Sequence, residues 1–351
     1  VNVRAHLLEG QVIPAHPLAL TPSRTLDEQH QRALTRYYVD AGAGGMAVGV
    51  HTTGFRIHDA DIGLYRPVLQ LAAETANAQL VQHNGRPFVR VAGLVGSTDQ
   101  ALREAAIARE LGYHCGLLSL GAWRDATDAA ILAHCARVAE AIPLFGFYLQ
   151  PAVGGRALSY RFWRELAEIA GVVAIKVAPF DRYATLDVVR AIADSGRADI
   201  ALYTGNDDAI VSDLVTNVPV HVGGIRESRV FTGGLLGQWA VWTRRAVQLL
   251  DEIKAWRATG GDVPQQFLAF GASLTSANAA IFDAAHQFHG CLPGILEVLR
   301  TQGLVRGVWT LDTSERLSDG QADAIALIAQ QFPELTDDAW VQEHRDRWLR
   351  P

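Results

Sequence analysis

The chain alternates eight short, apolar, β-rich runs with amphipathic helical stretches, and this alternation leaves few folds open. The runs are 11–20 (QVIPAHPLAL), 46–52 (MAVGVHT), 87–94 (PFVRVAGL), 115–120 (CGLLSL), 144–150 (LFGFYLQ), 172–178 (VVAIKVA), 200–204 (IALYT) and 219–223 (PVHVG). Between them lie helical segments such as 98–112, 125–141, 158–170 and 183–196, with capping residues at Ser97/Thr98, Asp125, Ser159 and Thr185. Strands joined by helices run parallel, and eight such units close into an α/β fold, the (β/α)8 TIM barrel. A doubly wound open sheet fits less well. Its phosphate-binding glycine turn follows a strand, whereas Gly42-Ala43-Gly44-Gly45 follows a helix and precedes a strand. After residue 228 the pattern becomes helical only, at about 230–258, 263–289, 292–302, 318–331 and 337–349. The expected organisation is a barrel over 1–228 with C-terminal helices, 229–351, packed on it as a single structural unit.

Composition excludes several partners. A net charge of −6 disfavours nucleic acid and anionic membrane surfaces, and no 18-residue apolar window provides a membrane span. Cys115, Cys135 and Cys291 are odd in number and set among apolar residues, which suits buried thiols in a reducing cytoplasm. The start has no signal-peptide pattern and lacks Met, so upstream residues are expected to be missing. Of 31 basic residues only Lys176 and Lys254 are lysines. Lys254 lies in an ordinary solvated helical stretch, DEIKAWR; Lys176 lies in a strand.

Side chains alternate along a strand, so Val173, Ile175 and Val177 share one face of VVAIKVA while Ala174, Lys176 and Ala178 share the other. The branched residues suit the helix-facing side, which puts Lys176 inside the barrel between small alanines. Desolvation there disfavours the ammonium, and a neutral amine can attack a ketone, chemistry that arginine cannot perform. A charge-paired or solvent-reaching lysine fits the strand equally well. In the strand at 144–150, Gly146, Tyr148 and Gln150 share a face, and Tyr148 is expected to point inward, as a proton carrier or as packing.

FYLQPAVGG followed by VVAIKVAP resembles the dihydrodipicolinate synthase / N-acetylneuraminate lyase family of class I aldolases, in which a Tyr-x-x-Pro strand precedes an Ile-Lys strand by the same 28-residue interval. The resemblance extends thinly over residues 10–330, through Thr52-Thr53-Gly54, Thr204-Gly205-Asn206-Asp207-Asp208 and Gly224-Ile225. It implies that Lys176 forms an imine with a 2-oxo acid and that Tyr148 relays protons. It also implies that Thr52 and Thr53 hold the carboxylate, with Gly205, Asn206 and Ile225 lining the substrate. The departures narrow this. His51 and Phe55 replace a glycine and an acidic residue of the carboxylate turn, and His51 is either a substrate contact or a core histidine. Ala152-Val153 stands where the synthases carry an arginine, with Arg156 three residues later; the tyrosine pair expected after strand four is absent from Ser119-Leu120-Gly121-Ala122-Trp123, and Arg226 replaces a serine. Arg226 and Arg229 suit a distal anionic group or a rim salt bridge.

Asp283, His286 and His289 share a spacing that could bring them to one helical face, yet a metal is not expected there. The first strand carries only His16, not the His-x-His of a metal-dependent barrel hydrolase, and no P-loop or Gly-x-Ser-x-Gly occurs. The C-terminal tryptophans read as packing or subunit contacts. The sequence thus points to a cytoplasmic, cofactor-free lyase that cleaves or forms a 4-hydroxy-2-oxo acid with a pyruvate-type product, assembled as a homotetramer or homodimer by family analogy. A dehydratase, decarboxylase or synthase-like condensation through the same imine, or a barrel with only a binding role, are its rivals.

Overall fold

The computed structural model describes residues 1–350. In chain order the first half contains α1 (Val3–Leu8), β1 (Val12–Pro14), α2 (Glu28–Ala41), β2 (Gly45–Val48), α3 (Tyr65–Val81), β3 (Val89–Leu94), α4 (Thr98–Glu110), β4 (Cys115–Leu118), α5 (Asp128–Ala141), β5 (Leu144–Leu149) and α6 (Tyr160–Leu166). There follow β6 (Val172–Ala178), α7 (Arg182–Asp194), β7 (Ala201–Thr204), α8 (Ile210–Val215), β8 (Val218–Val222), β9 (Ile225–Arg229) and β10 (Gly233–Leu236). The chain closes with α9 (Thr243–Thr259), α10 (Gln265–Ile281), α11 (Cys291–Thr301), α12 (Gln321–Gln331) and α13 (Asp338–Trp348). Eight parallel strands, each followed by a helix, make a (β/α)8 barrel with added C-terminal helices.

Two compact units can be described. One comprises Val1–Gln11 and Val89–Leu235, the other Val12–Phe88 and the chain from Leu236 onward. In the first, parallel strands lie in the order β10-β7-β6-β5-β4-β3. All seven residues of β6 are buried, as the near-continuous apolar run of a sheet covered on both faces requires. Tyr203 of β7 is fully buried; its hydroxyl donates to the Leu7 carbonyl at 2.9 Å and accepts from the Gln11 N–H at 3.1 Å, tying α1 to the sheet. Ser97 and Ser159 cap α4 and α6 as the sequence suggests, but α5 and α7 are capped by Thr127 and Asp181 rather than Asp125 and Thr185.

The second unit is built around β1, β2 and the packed helices α2, α3 and α9–α13. Trp348 is fully buried against Tyr37, with ring centroids 5.3 Å apart, and its indole N–H donates to Asp40 at 2.7 Å. Tyr37 donates to Asp337 at 2.8 Å and accepts from the Thr243 N–H at 2.7 Å, joining α2, α9 and the start of α13. Trp239, Trp242 and Trp348 are therefore core residues, while Trp256 lies at the surface with its N–H on the Asp262 carbonyl. All three cysteines are free and buried, and burial pushes the Cys115 and Cys135 thiols up to about 12. Among the described residues no helix is long and apolar enough to cross a membrane.

The expected eighth strand is corrected. PVHVG pairs antiparallel with Ile225–Arg229 as a hairpin, because Gly223 and Gly224, at φ 56° and 83°, make a two-residue turn too short for a parallel crossover. The eighth parallel strand is β10, beyond the boundary at 228. Its Gly-Gly-Leu-Leu sequence has little β propensity and reads as the start of a helix.

Candidate active site

Register assigns the faces of the first unit's sheet. Lys176 pairs with Phe147 on β5 and Tyr203 on β7, so these three side chains share a face with Ala174 and Ala178. The other face carries Gly146, where an added Cβ would lie 3.3 Å from Leu166 of α6, and Thr204, whose hydroxyl donates to Asp213 of α8 at 2.6 Å. Lys176 thus faces away from α6 and α8, as its strand pattern suggests. It is only 8% exposed, which removes the solvent-reaching alternative. Its Nζ stands 4.7 Å from the Phe147 ring centroid, within cation–π range. Gly205 closes the other flank: a Cβ there would come within 2.6 Å of Lys176 Cε and 2.8 Å of Ala178 Cβ. Gly205 is therefore the residue that leaves the lysine stem its room.

Tyr148 is on the opposite face, paired with Val177. Its ring packs on Trp163 of α6, with centroids 5.2 Å apart. Its hydroxyl donates to the Leu158 carbonyl at 3.3 Å and accepts from the Leu158 N–H at 3.1 Å. Burial raises the phenol above its ordinary range, against the opposing hydrogen bond to Leu158. The expectation of an inward Tyr148 is corrected: Phe145 and Phe147 take the lysine's face, opposite the small Ala174 and beside Ala178, while Gly146 makes room for α6 on the other. A shift of register between Leu144 and Phe145 accompanies this arrangement.

Asn206 also turns away from substrate-binding duty. Its amide N–H2 donates to Thr185 at 3.1 Å and Asp213 at 3.0 Å, and its carbonyl accepts from the Phe180 N–H at 3.0 Å. Phe180 has φ 53°, a conformation costly for a bulky residue. Asn206 therefore staples the loops that follow β6 and β7. Asp213 is buried, which raises its carboxyl, although Arg182 and the Thr204 and Asn206 hydrogen bonds oppose that rise. Arg156 is committed to the Trp123 and Ala126 carbonyls at 3.0 and 2.8 Å. Ile225 and Arg226 sit on the exposed hairpin, Ile225 at 66% exposure, rather than after a barrel strand.

In the second unit His51–Thr53 forms a 3₁₀ turn after β2. The Thr53 hydroxyl accepts from the Gly49 N–H at 3.0 Å and donates to the His16 carbonyl at 2.7 Å, and its own N–H bonds Val50. Thr53 is consumed by the turn, so its expected carboxylate role is corrected. Thr52 is buried, and its hydroxyl lies 3.4 Å from where a Cβ on Gly237 would stand. Gly237, the residue just past β10, lies beside Thr52, a neighbour that the misplaced strand eight hid from sequence reasoning. The His51 ring meets Phe55 edge-on at 5.8 Å. His16 is a core histidine bonded to Thr35 and the Pro17 carbonyl, and burial lowers it to about 4 against that backbone bond. Among the described residues no cluster of three or more metal-ligating side chains occurs.

The comparisons agree with this fold. The chain is 24% identical over 280 residues to the 4-hydroxy-tetrahydrodipicolinate synthase of Exiguobacterium sp., covering 73% of this chain and 90% of that one. It is 26% identical over 266 residues to the enzyme of the same name from Thermosynechococcus vestitus, covering 73% and 84%. Dihydrodipicolinate synthase from Acinetobacter baumannii complexed with pyruvate superposes with a TM-score of 0.73 at 17% identity, over 95% of this chain and 99% of that one. N-acetylneuraminate lyase from Fusobacterium nucleatum gives 0.71 at 16%, over 93% and 99%. The profile of the dihydrodipicolinate synthetase family matches residues 9–218, and the chain belongs to that family of Schiff-base lyases and synthases of the class I aldolase type.

Proposed function

We propose that the protein is a carbon–carbon lyase that joins Lys176 to a 2-oxo acid and cleaves, or in reverse condenses, a 4-hydroxy-2-oxo acid. The observation that carries this reading is a buried lysine on the sheet face turned from the helices, its stem against Gly205 and its amine over Phe147. The neutral amine adds to the C2 carbonyl, and loss of water leaves a protonated imine. The C3–C4 electron pair flows to the imine nitrogen as the 4-hydroxyl loses its proton, releasing an aldehyde and an enamine. Protonation at C3 and hydrolysis return the lysine and pyruvate. The Phe147 ring favours the cationic imine, and the alanines keep the stem's surroundings small.

The family resemblance assigns the substrate carboxylate to the turn at 51–53, and within it Thr52 is the candidate, since Thr53 is spent on its own loop. Tyr148, bonded twice to Leu158, positions the β5–α6 connection. Assembly as a homotetramer or homodimer belongs to the same reading. The curated relatives support a second one, condensation of the 4-hydroxy-tetrahydrodipicolinate synthase kind, through the same imine. Borohydride reduction with pyruvate tests the shared step. With only two lysines in the chain, Lys254 is an internal control. An adduct on the Lys176 peptide is expected, and its absence with pyruvate and other 2-oxo acids would leave only a binding role. Given an adduct, production of an aldehyde from 4-hydroxy-2-oxo acids separates lyase from synthase.

A further inference from the structure

The stretch between α10 and α12 contains an arrangement unrelated to the lysine chemistry. Helix α10 stops at Ile281 because Asp283 takes φ 57°, and Gln287 and Phe288 follow at 55° and 66°. Three non-glycine residues in the left-handed region within six positions cost about 1 kcal/mol or more each, and such strain persists only where the surroundings impose it. What imposes it is Asp283. Its buried carboxylate accepts from the Gly290 N–H at 3.0 Å, the Ser318 hydroxyl at 2.6 Å and His286 Nδ1 at 2.6 Å. Burial pushes this carboxyl up, but the three hydrogen bonds outweigh it and hold it below the usual range. The Asp283 carboxylate takes the His286 Nδ1–H, so Nε2 is the ring's remaining polar atom, an acceptor in the neutral ring and a donor in the imidazolium.

The result is not the helical face expected from the spacing of Asp283, His286 and His289, but an open cleft of about 540 Å³ lined by His286, His289, Arg316, Leu317, Ser318 and Asp319. His289 and Arg316 are exposed there, and among the described residues neither side chain makes an ion pair or hydrogen bond, Arg316 not even with Asp319. A guanidinium and two imidazoles line one cleft, and they offer an oxyanion N–H donors, His286 through Nε2 in its imidazolium form. Asp319 supplies an acceptor that suits a hydroxyl beside the anionic group. We propose that this cleft binds a small molecule through a phosphate or carboxylate group.

The test uses inorganic phosphate and malonate as probes, with the imidazole signals of His286 and His289 followed by NMR and binding measured by calorimetry. Saturable shifts of both histidines are expected, with a dissociation constant of about 1 mM or tighter. R316Q and H289Q change exposed, unpartnered side chains and should leave the melting temperature unaltered, yet each should weaken binding about 10-fold or more. Binding of phosphate alone assigns a phosphate group; malonate alone, or both, assigns a carboxylate-accepting site. Either result keeps the proposal. It is overturned if neither probe shifts the histidines, or if R316Q binds both as tightly as the unaltered protein.

Discussion

Gly205 offers the sharpest perturbation, because its replacement by alanine adds one methyl group at a known place. That methyl would stand 2.6 Å from Lys176 Cε, 3.0 Å from Lys176 Cγ and 2.8 Å from Ala178 Cβ. Unbonded carbons rest at about 3.5–4.0 Å, so relief requires a movement of about 1 Å. Ala178 Cβ is fixed to a central strand and cannot provide it; the lysine stem must turn instead. Overpacking of this kind costs about 1–3 kcal/mol, part of it as an off-rotamer lysine at about 0.5–1.5 kcal/mol. Displacing a reacting atom by about 1 Å can cost on the order of 10²-fold in rate. The expectation for Gly205→Ala is therefore a folded protein, melting a few degrees lower, whose borohydride-trapped pyruvate adduct forms between about 5-fold and 150-fold more slowly. Trapping rates by peptide mass, with thermal unfolding in parallel, provide both readouts. A variant that traps pyruvate at the normal rate and melts normally would show that the lysine stem does not run past Gly205, and the site as described here would be wrong.

Three further outcomes are expected. Phe147→Leu keeps an apolar neighbour but removes the ring under Nζ; losing a cation–π contact of about 0.5–2 kcal/mol should lower the trapped fraction at subsaturating pyruvate about 2-fold to 30-fold, with Phe147→Tyr restoring it. Tyr148→Phe should leave trapping within a few-fold of normal while costing about 1 kcal/mol of stability from the lost Leu158 bonds; near-complete loss of trapping in a normally folded variant would reinstate the phenol as a proton relay. His16, at about 4 in the fold against 6.5 unfolded, binds its proton more weakly when folded. Its contribution is fully present above pH 6.5 and lost as pH falls toward 4, a change of about 3 kcal/mol, whereas Asp337, raised to about 6 mainly by burial, gives stability below 3.8 that is lost as pH rises through 6. Urea unfolding of His16→Gln between pH 7 and 4.5 should show a shallower acid-side decline than the unaltered protein, and equal slopes would refute the assignment.

The fold was legible because β and α periods alternate cleanly from residue 11 to 204, and because VVAIKVA separates branched from small residues by face. Lys176 was legible for the same reason. Tyr148 was not, since LFGFYLQ offers large side chains on both faces, and a 28-residue interval to the lysine fixes distance along the chain without fixing direction. The correct cue was steric: phenylalanines belong opposite the small Ala174, and glycine belongs under a helix. Asn206 and Thr53 sit in the expected motifs but spend their polar atoms on holding their own loops, Asn206 on Thr185, Asp213 and the Phe180 N–H, which composition cannot distinguish from ligand binding. Strand eight failed for a local reason, a glycine pair that makes PVHVGGIRESR a hairpin and leaves the glycine-rich β10 without a strand's signature.

The partition of the chain also governs how it can be made. Helix α1 completes its unit through Tyr203, some two hundred residues downstream, and α2 completes the other through Trp348 near the far end. The first unit has all its parts only after Leu235 has been made, and the second only after Trp348. Distant pairings of this sort slow folding and prolong the exposure of sticky surface, so a shortened version lacking either extremity should fail to mature rather than lose activity in proportion.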